Sequence, residues 1–220
     1  MKPGSEPSVL LVDDHLIIRK GCRELLEQAG IVSTWEAADG EAAYRAFVAY
    51  APDVVVMDLS MNGVSGLEAI RRMMNRRPNA RIVVFSMHDD PIFAARALKA
   101  GAVGYVTKTS PPEEFVHAVR CAAAGQRHIS HDVAQTLVLS GLTGQDHPLT
   151  ALTDREFDIF RLLASGKTAA QIADILSIAP KSVSNYYGRI KEKLGLESIA
   201  ELVRLAIGEG ILVAEPERLD

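Results

Sequence analysis

The sequence predicts an α/β protein, an open, doubly wound parallel sheet of five βα units, followed by a small all-α module. Two observations predict it. Up to Gly125, short apolar runs rich in Val and Ile alternate with amphipathic segments, the pattern of strands buried on both faces and of the helices that cover them. After Gly125 the alternation stops, and from Leu152 onward the periodicity is helical throughout.

The elements follow in order. Strands are expected at Val9–Val12, 32–36, Val54–Met57, Ile82–Ser86 and 103–107. Helices are expected at 15–29, Gly40–Tyr50, 66–77, 92–100 and 112–124, with Gly30, Gly101 and Gly125 at C-terminal caps and Pro112 in a first turn. A short apolar segment, 133–139, then leads into SGLTGQDHPLT, whose Gly, Asp and Pro content reads as a linker. The second module shows helical patterns at 153–164, 168–176, Pro180–Leu194 and 198–207, and Thr153 with Glu156 makes a capping box. The expected domains are 1–127 for the sheet, 128–149 for a linker with a short helix, 150–208 for the helical module and 209–220 for an acidic tail.

The 220 residues suit one large or two modest domains, and 48% hydrophobic with 24% charged residues is an ordinary soluble composition. No apolar run approaches membrane-spanning length, and no charged-then-apolar leader opens the chain, so a cytoplasmic protein without membrane contact is expected. Cys22 and Cys121 have no motif spacing and read as reduced, partly buried thiols. Residues 1–130 carry 15 basic and 15 acidic side chains, whereas 131–220 carry 9 and 13. Within that acidic half, Lys181, Arg189, Lys191 and Lys193 oppose Glu192 alone over thirteen residues, a local basic stripe.

The chemistry gathers at the strand ends. Asp13 and Asp14 follow the first strand and Asp58 follows the third, and these strands are neighbours in a right-handed doubly wound sheet. Three carboxylates at one edge repel unless a cation compensates them, and Mg²⁺ prefers such oxygen ligands with water. Ser86 ends the fourth strand and Lys108 follows the fifth, so a hydroxyl and an ammonium point at the same rim, suited to the oxygens of a dianionic group. The set amounts to an aspartate nucleophile, a cation site and phosphate ligands. His15 and His88 border this rim in sequence, and neither is assigned as a metal ligand or phosphoryl carrier.

LLVDDH, VVVMDLSMNGVSG, VVFSMHDD and AGAVGYVTK resemble the receiver domain of two-component response regulators, a flavodoxin-like fold, over about residues 8–125. The resemblance implies that Asp58 accepts a phosphoryl group from a sensor histidine kinase. It also implies that Asp13, Asp14, Asp58 and the Ser60 carbonyl hold Mg²⁺, that Ser86 and Lys108 bind the phosphoryl oxygens, and that Tyr105 is the aromatic that swings inward with the hydroxyl residue. Asn62 departs from the family's usual Pro and loosens the loop after the nucleophile. Two enzyme readings fit less well. A dehalogenase-like phosphatase needs a second Asp where Ser60 stands, and the GKT at 166–168 lacks the first glycine and the preceding strand of a phosphate-binding loop.

In the helical module, the helix ending near Leu176, a break at 178–179 and the helix from Pro180 form a helix-turn-helix pattern, whose second helix enters the major groove. Val183, Tyr187, Ile190 and Leu194 mark its buried face, and Lys181, Ser184, Asn185, Gly188 and Arg189 lie opposite, with Lys191 and Lys193 as phosphate contacts. From the residues alone, a plain four-helix bundle with a solvated basic face competes on level terms. The stretch LTDREFDIFRLLASGKTAAQIADILSIAPKSVSNYYGRIKEKLG is similar to the LuxR-type DNA-binding domain, so the whole chain resembles the NarL/FixJ class of response regulators. That resemblance adds Thr168 and Ser182 to the expected contacts with double-stranded DNA. It also implies homodimers on activation and paired half-sites, with the stripe Ile199, Leu202, Val203 and Ala206 at the dimer contact. Ala169, Gln171 and Tyr186 depart from the family's usual Asn, Glu and His. The expected function is a DNA-binding transcriptional response regulator, not an enzyme beyond promoting its own phosphorylation and dephosphorylation. The alternative is a regulator whose atypical receiver leaves DNA binding independent of phosphorylation.

Overall fold

The structure, a computed structural model, describes residues 6–61, 65–139, 148–209 and 211. The chain forms two compact units, 1–144 and 145–220. In the first, β1 (Val9–Val12), β2 (Thr34–Ala37), β3 (Val54–Met57), β4 (Ile82–Ser86) and β5 (Gly104–Thr107) pair in parallel in the order β2-β1-β3-β4-β5. The connecting helices are α1 (Leu16–Gln28), α2 (Gly40–Tyr50), α3 (Gly66–Arg76), α4 (Pro91–Ala100) and α5 (Pro112–Ala123). β1 and β3 are buried at every residue, which is why they read as unbroken apolar runs rather than alternating ones. Val9, Leu11, Val54, Val56, Val83 and Val106 join Leu26, Phe115 and Val119 in one cluster between the sheet, α1 and α5. Gly30, Gly101 and Gly125 have positive φ at the helix ends where the sequence places them.

Two differences from the sequence reading have simple causes. β2 begins at Thr34 rather than residue 32, because Val32 is 71% exposed and pairing with β1 starts at Thr34. A sixth strand, β6 (His128–Ile129), pairs with Gly104 and Tyr105 and extends the sheet beyond β5. Two residues are too few to show a period. The short helix expected near 133–139 is present as α6 (His131–Leu139), and it packs against α4 and β5. Trp35 on the edge strand β2 stacks on Tyr50 at the end of α2, with ring centroids 5.0 Å apart and planes within 2°.

The second unit holds a 3₁₀ turn (Pro148–Ala151) and helices α7 (Asp154–Ala164), α8 (Ala169–Leu176), α9 (Pro180–Leu194) and α10 (Ile199–Gly208). The capping box of Thr153 and Glu156 opens α7, and a second, of Thr168 and Gln171, opens α8. Ser177, with φ of 52°, ends α8, and α9 starts three residues later with Pro180 in its first turn. Asn62, most of the acidic tail and the stretch 140–147 within the linker lie outside the described residues.

Candidate functional site

The register of the sheet builds the acidic rim. Val12 lies opposite Met57, so Asp13 and Asp58 emerge side by side one residue beyond, and the Asp58 N–H donates to the Val12 carbonyl at 2.9 Å. Both aspartates are buried, and Asp14 is partly so. On the other side, Ser86 lies opposite Thr107, and the Lys108 N–H donates to the Ser86 carbonyl at 2.8 Å. Lys108 then reaches back across the rim. Its Nζ stands 2.5 Å from Asp13 Oδ2 and 2.9 Å from Asp58 Oδ2, with only 5% of its side chain exposed. Burial pushes the Asp58 carboxyl above the ordinary aspartate range, against the pull of Lys108 and with a further push from Asp13. For Lys108 burial works the other way, but contact with Asp13 and Asp58 outweighs it and raises the ammonium above the ordinary lysine value.

The two expected switch residues, Ser86 and Tyr105, both hydrogen-bond the backbone of His88. Ser86 is fully buried, Tyr105 is turned into the protein and fully buried, and its hydroxyl donates to the His88 carbonyl at 2.8 Å. Burial drives the phenol well above its usual range, while a hydrogen bond with Ser86 opposes that rise. The Ser60 N–H donates to Asp58 Oδ1 at 3.3 Å, and its hydroxyl pairs with His88 Nε2 at 2.6 Å. His88 is held flat on Phe93 at 4.0 Å, so one histidine ties the loop after Asp58 to the Tyr105 side of the rim. His15 Nδ1 sits 2.8 Å from Asp14 Oδ1 and 3.2 Å from Asp13 Oδ1. Ligand atoms of Asp13, Asp14, His15 and Asp58 all lie within 4.8 Å of one another. With three carboxylates in that set, the donors fit a hard divalent cation such as Mg²⁺.

Sequence reasoning assigned no role to Gly66, the first residue of α3. A Cβ there would stand 2.2 Å from the Asp58 carbonyl oxygen and 2.8 Å from the Leu59 Cα. Both are backbone, so any side chain would push the segment at Asp58 and Leu59 out of place. The signal available in the sequence is only the glycine itself, eight residues after Asp58.

In the second unit, α9 buries Val183 and Ile190, with Tyr187 and Leu194 partly covered. Lys181, Ser184, Asn185, Gly188 and Arg189 are all exposed, as the helical spacing requires, and Ser182 is partly covered. A Cβ on Gly188 would meet nothing within 4 Å, so this point of the face is flat and open. Lys191 is partly covered, with its Nζ 3.4 Å from the Glu197 carbonyl. The Thr168 hydroxyl accepts from the Gln171 N–H at 3.3 Å, so it caps α8 at an exposed corner.

Two matches decide the family. The family model for the response regulator receiver domain matches residues 9–120, and that for bacterial regulatory proteins of the luxR family matches 150–206. The chain belongs to the LuxR-type two-component response regulators. Response regulator UvrY of Escherichia coli (strain K12) is 37% identical over 211 residues, covering 94% of this chain and 97% of UvrY. Response regulator GacA of Pseudomonas aeruginosa PAO1 is 39% identical over 209 residues, covering 94% and 98%. RcsB from Salmonella enterica serovar Typhimurium, bound to promoter rprA with the phosphomimetic BeF3-, superimposes with a TM-score of 0.63 at 26% identity, covering 90% of this chain and 98% of RcsB. This response regulator is therefore a transcription regulator with a receiver and a helix-turn-helix unit. Among its described residues, no helix is long and apolar enough to cross a membrane.

Two details of this response regulator go beyond the sequence reading. Lys193, expected on DNA phosphates, donates to Glu156 Oε2 at 2.6 Å and to the Ala151 carbonyl at 3.3 Å. That same Glu156 oxygen accepts from the Thr153 N–H and hydroxyl. Burial opposes ionisation of Glu156, but Lys193 and Thr153 outweigh it and hold the carboxyl below its usual range. The dimer stripe also divides. Leu202 and Ala206 are fully buried within the unit, Val203 is partly buried and Ile199 is about half exposed, as is Ile207 outside the stripe. Lys193→Ala leaves Glu156 buried without its cation and is expected to destabilise the helical unit by about 1–2 kcal/mol at neutral pH, less than a fully buried pair because Lys193 is one-third exposed. A depressed carboxyl pKa stabilises the fold above the unfolded-state value and is lost as pH falls through the folded one. Urea titrations should therefore show the wild-type and Lys193→Ala proteins converging in stability on acidification below roughly pH 4.3. A gap that persists there would remove the ion pair as its cause.

Proposed function

We propose that Asp58 accepts a phosphoryl group from a sensor histidine kinase and that the modified receiver controls binding of a homodimer to double-stranded DNA through α9. The observation that carries this reading is the buried Asp58 carboxylate with Lys108 Nζ 2.9 Å away, the two residues following β3 and β5 on either side of β4. In the transfer, Asp58 attacks the phosphorus of the kinase's phosphohistidine, the P–N bond breaks as the P–O bond forms, and the leaving imidazole takes up a proton from water. Asp13, Asp14, Asp58 and the Ser60 carbonyl would hold Mg²⁺, which supplies charge neutralisation for the transferred group. Lys108 and Ser86 then bind the phosphoryl oxygens, and the movement of Ser86 reaches Tyr105 through His88, whose N–H donates to the Ser86 hydroxyl and whose carbonyl accepts from the Tyr105 hydroxyl. The protein catalyses nothing beyond its own phosphorylation and dephosphorylation, and it works in the cytoplasm, where kinase and DNA meet.

Residues 1–127 form the phosphoacceptor domain, 128–149 the connection, 150–208 the DNA-binding domain and 209–220 an acidic tail. On α9, Asn185 and Arg189 read base edges, while Lys181, Ser182, Ser184, Lys191 and Thr168 position the helix on the backbone and Gly188 admits close approach. Lys193 serves DNA only after its tie to Glu156. Half-exposed Ile199 and Ile207 on α10 supply apolar surface for a second copy. The test is a DNA titration of full-length protein with and without acetyl phosphate and Mg²⁺. Wild type should gain affinity roughly 5- to 150-fold. Lys108→Ala should label slowly and gain nothing, because the ammonium that reads the new dianion is missing. Equal gains in both proteins would remove Lys108 from the switch, and constant binding by an unlabelled wild type would make the receiver phosphorylation-independent.

A further inference from the structure

A second cluster of metal-binding side chains lies away from the acidic rim. His117 and Cys121 stand one turn apart on the same face of α5, and His128 opens β6 beside them. One ligand atom from each lies within 4.8 Å of the other two. Cys121 Sγ is 3.4 Å from His117 Nε2, and the rings of His117 and His128 meet edge to face at 4.9 Å. A tetrahedral zinc ion with bonds of about 2.3 Å to sulfur and about 2.1 Å to nitrogen separates those two ligand atoms by roughly 3.6 Å, so the observed spacing needs almost no adjustment. Glu114 Oε1 lies 3.3 Å from His128 Nε2, and a carboxylate against a ligating imidazole is the arrangement that orients such rings. β6 pairs with Gly104 at the start of β5, whereas Lys108 follows its end, so the cluster sits roughly 13 Å along the strand direction from the rim.

We propose that His117, Cys121 and His128 bind one thiophilic divalent cation of the Zn²⁺ class, with Glu114 as positioning residue and a fourth position open to water. Two imidazoles and a thiolate select Zn²⁺, Co²⁺ or Ni²⁺ over Mg²⁺, which belongs with the carboxylates of the rim. Three protein ligands with one open place make an exchangeable site rather than a closed structural one. Binding releases the Cys121 thiol proton and ties the second half of α5 to the last strand of the sheet, so the receiver becomes harder to unfold when the ion is present.

The experiment is a Co²⁺ titration of untagged, reduced full-length protein, followed by its thiolate-to-cobalt charge-transfer absorption, with Zn²⁺ displacement as a second readout. One equivalent should develop the band, Zn²⁺ should abolish it, and excess Mg²⁺ should leave it intact. Cys121→Ser, a one-atom change at a partly exposed position, should lose the band. His117→Asn and His128→Asn should weaken binding at least as much as Glu114→Gln, for which roughly 10- to 100-fold is expected. Asp58→Asn should bind Co²⁺ with the band unchanged, which separates this site from the rim. No band in the wild type at millimolar Co²⁺ overturns the proposal. So does a band that survives Cys121→Ser, which would belong to Cys22, or one indifferent to both histidine replacements.

Discussion

Asp58→Asn protein is expected to take up no phosphoryl group from acetyl phosphate at any Mg²⁺ concentration, while wild type incorporates one. The amide keeps the size of the side chain and its hydrogen-bonding oxygen, so the loop and the Ser60 contact survive, but an amide is not a nucleophile toward phosphorus. Asp13→Ala should come close to the same loss by removing a cation ligand and one of the two carboxylates held by Lys108. The pH dependence follows from burial. The nucleophile is the ionised form, and burial raises the Asp58 carboxyl in the metal-free protein, so the labelling rate should fall on acidification as that carboxyl takes up a proton. Intact-mass spectrometry measures both effects. One phosphoryl group on Asp58→Asn would place the acceptor elsewhere.

Asn185→Ala is expected to weaken binding to the preferred operator by about 1–3 kcal/mol and to relax preference at one base pair per half-site, because a side-chain amide makes a bidentate contact with adenine that Ala cannot replace. Asn185 is exposed on the same face as Lys181, Gly188 and Arg189, and no side chain at 188 blocks the approach of that face to a groove. Lys191→Ala should behave differently, weakening operator and scrambled duplexes alike and lowering the salt slope by about one unit. Half-sites for a two-fold dimer should lie one helical turn apart, roughly 10 bp between centres. Titrations on both duplexes at several salt concentrations separate the two classes. Equal losses on both duplexes for Asn185→Ala would mean that this face of α9 does not read bases.

The sheet and its rim were legible because β1, β3, β4 and β5 are largely apolar runs that end in or are followed by a polar residue, and parallel pairing brings those ends together. Asp13, Asp58, Ser86 and Lys108 needed only strand order to be placed. What stayed hidden depends on distance in sequence. Lys193 and Glu156 are thirty-seven residues apart, and nothing in the basic stripe around Lys193 points to a buried carboxylate. His88, in the loop after β4, reaches Ser60 in the loop after β3 and Tyr105 in β5. His117, Cys121 and His128 meet only because β6 forms, and a two-residue strand carries no periodic signal. The stripe on α10 could not be divided from sequence for another reason. An apolar face on a helix shows that it is covered, not whether the cover is α7 of the same chain or a second molecule.

The stacked pair of Trp35 and Tyr50 gives the protein an optical asymmetry. Trp35 is the single tryptophan, and it belongs to the unit that carries Asp58. The other unit absorbs through Tyr186 and Tyr187 and has no indole. Emission excited at the red edge of the indole band therefore follows the melting of one unit alone, while backbone dichroism follows both. A change such as Lys193→Ala should shift the dichroism curve and leave the indole curve where it was, so the intact chain carries its own internal standard for assigning a stability change to one half or the other.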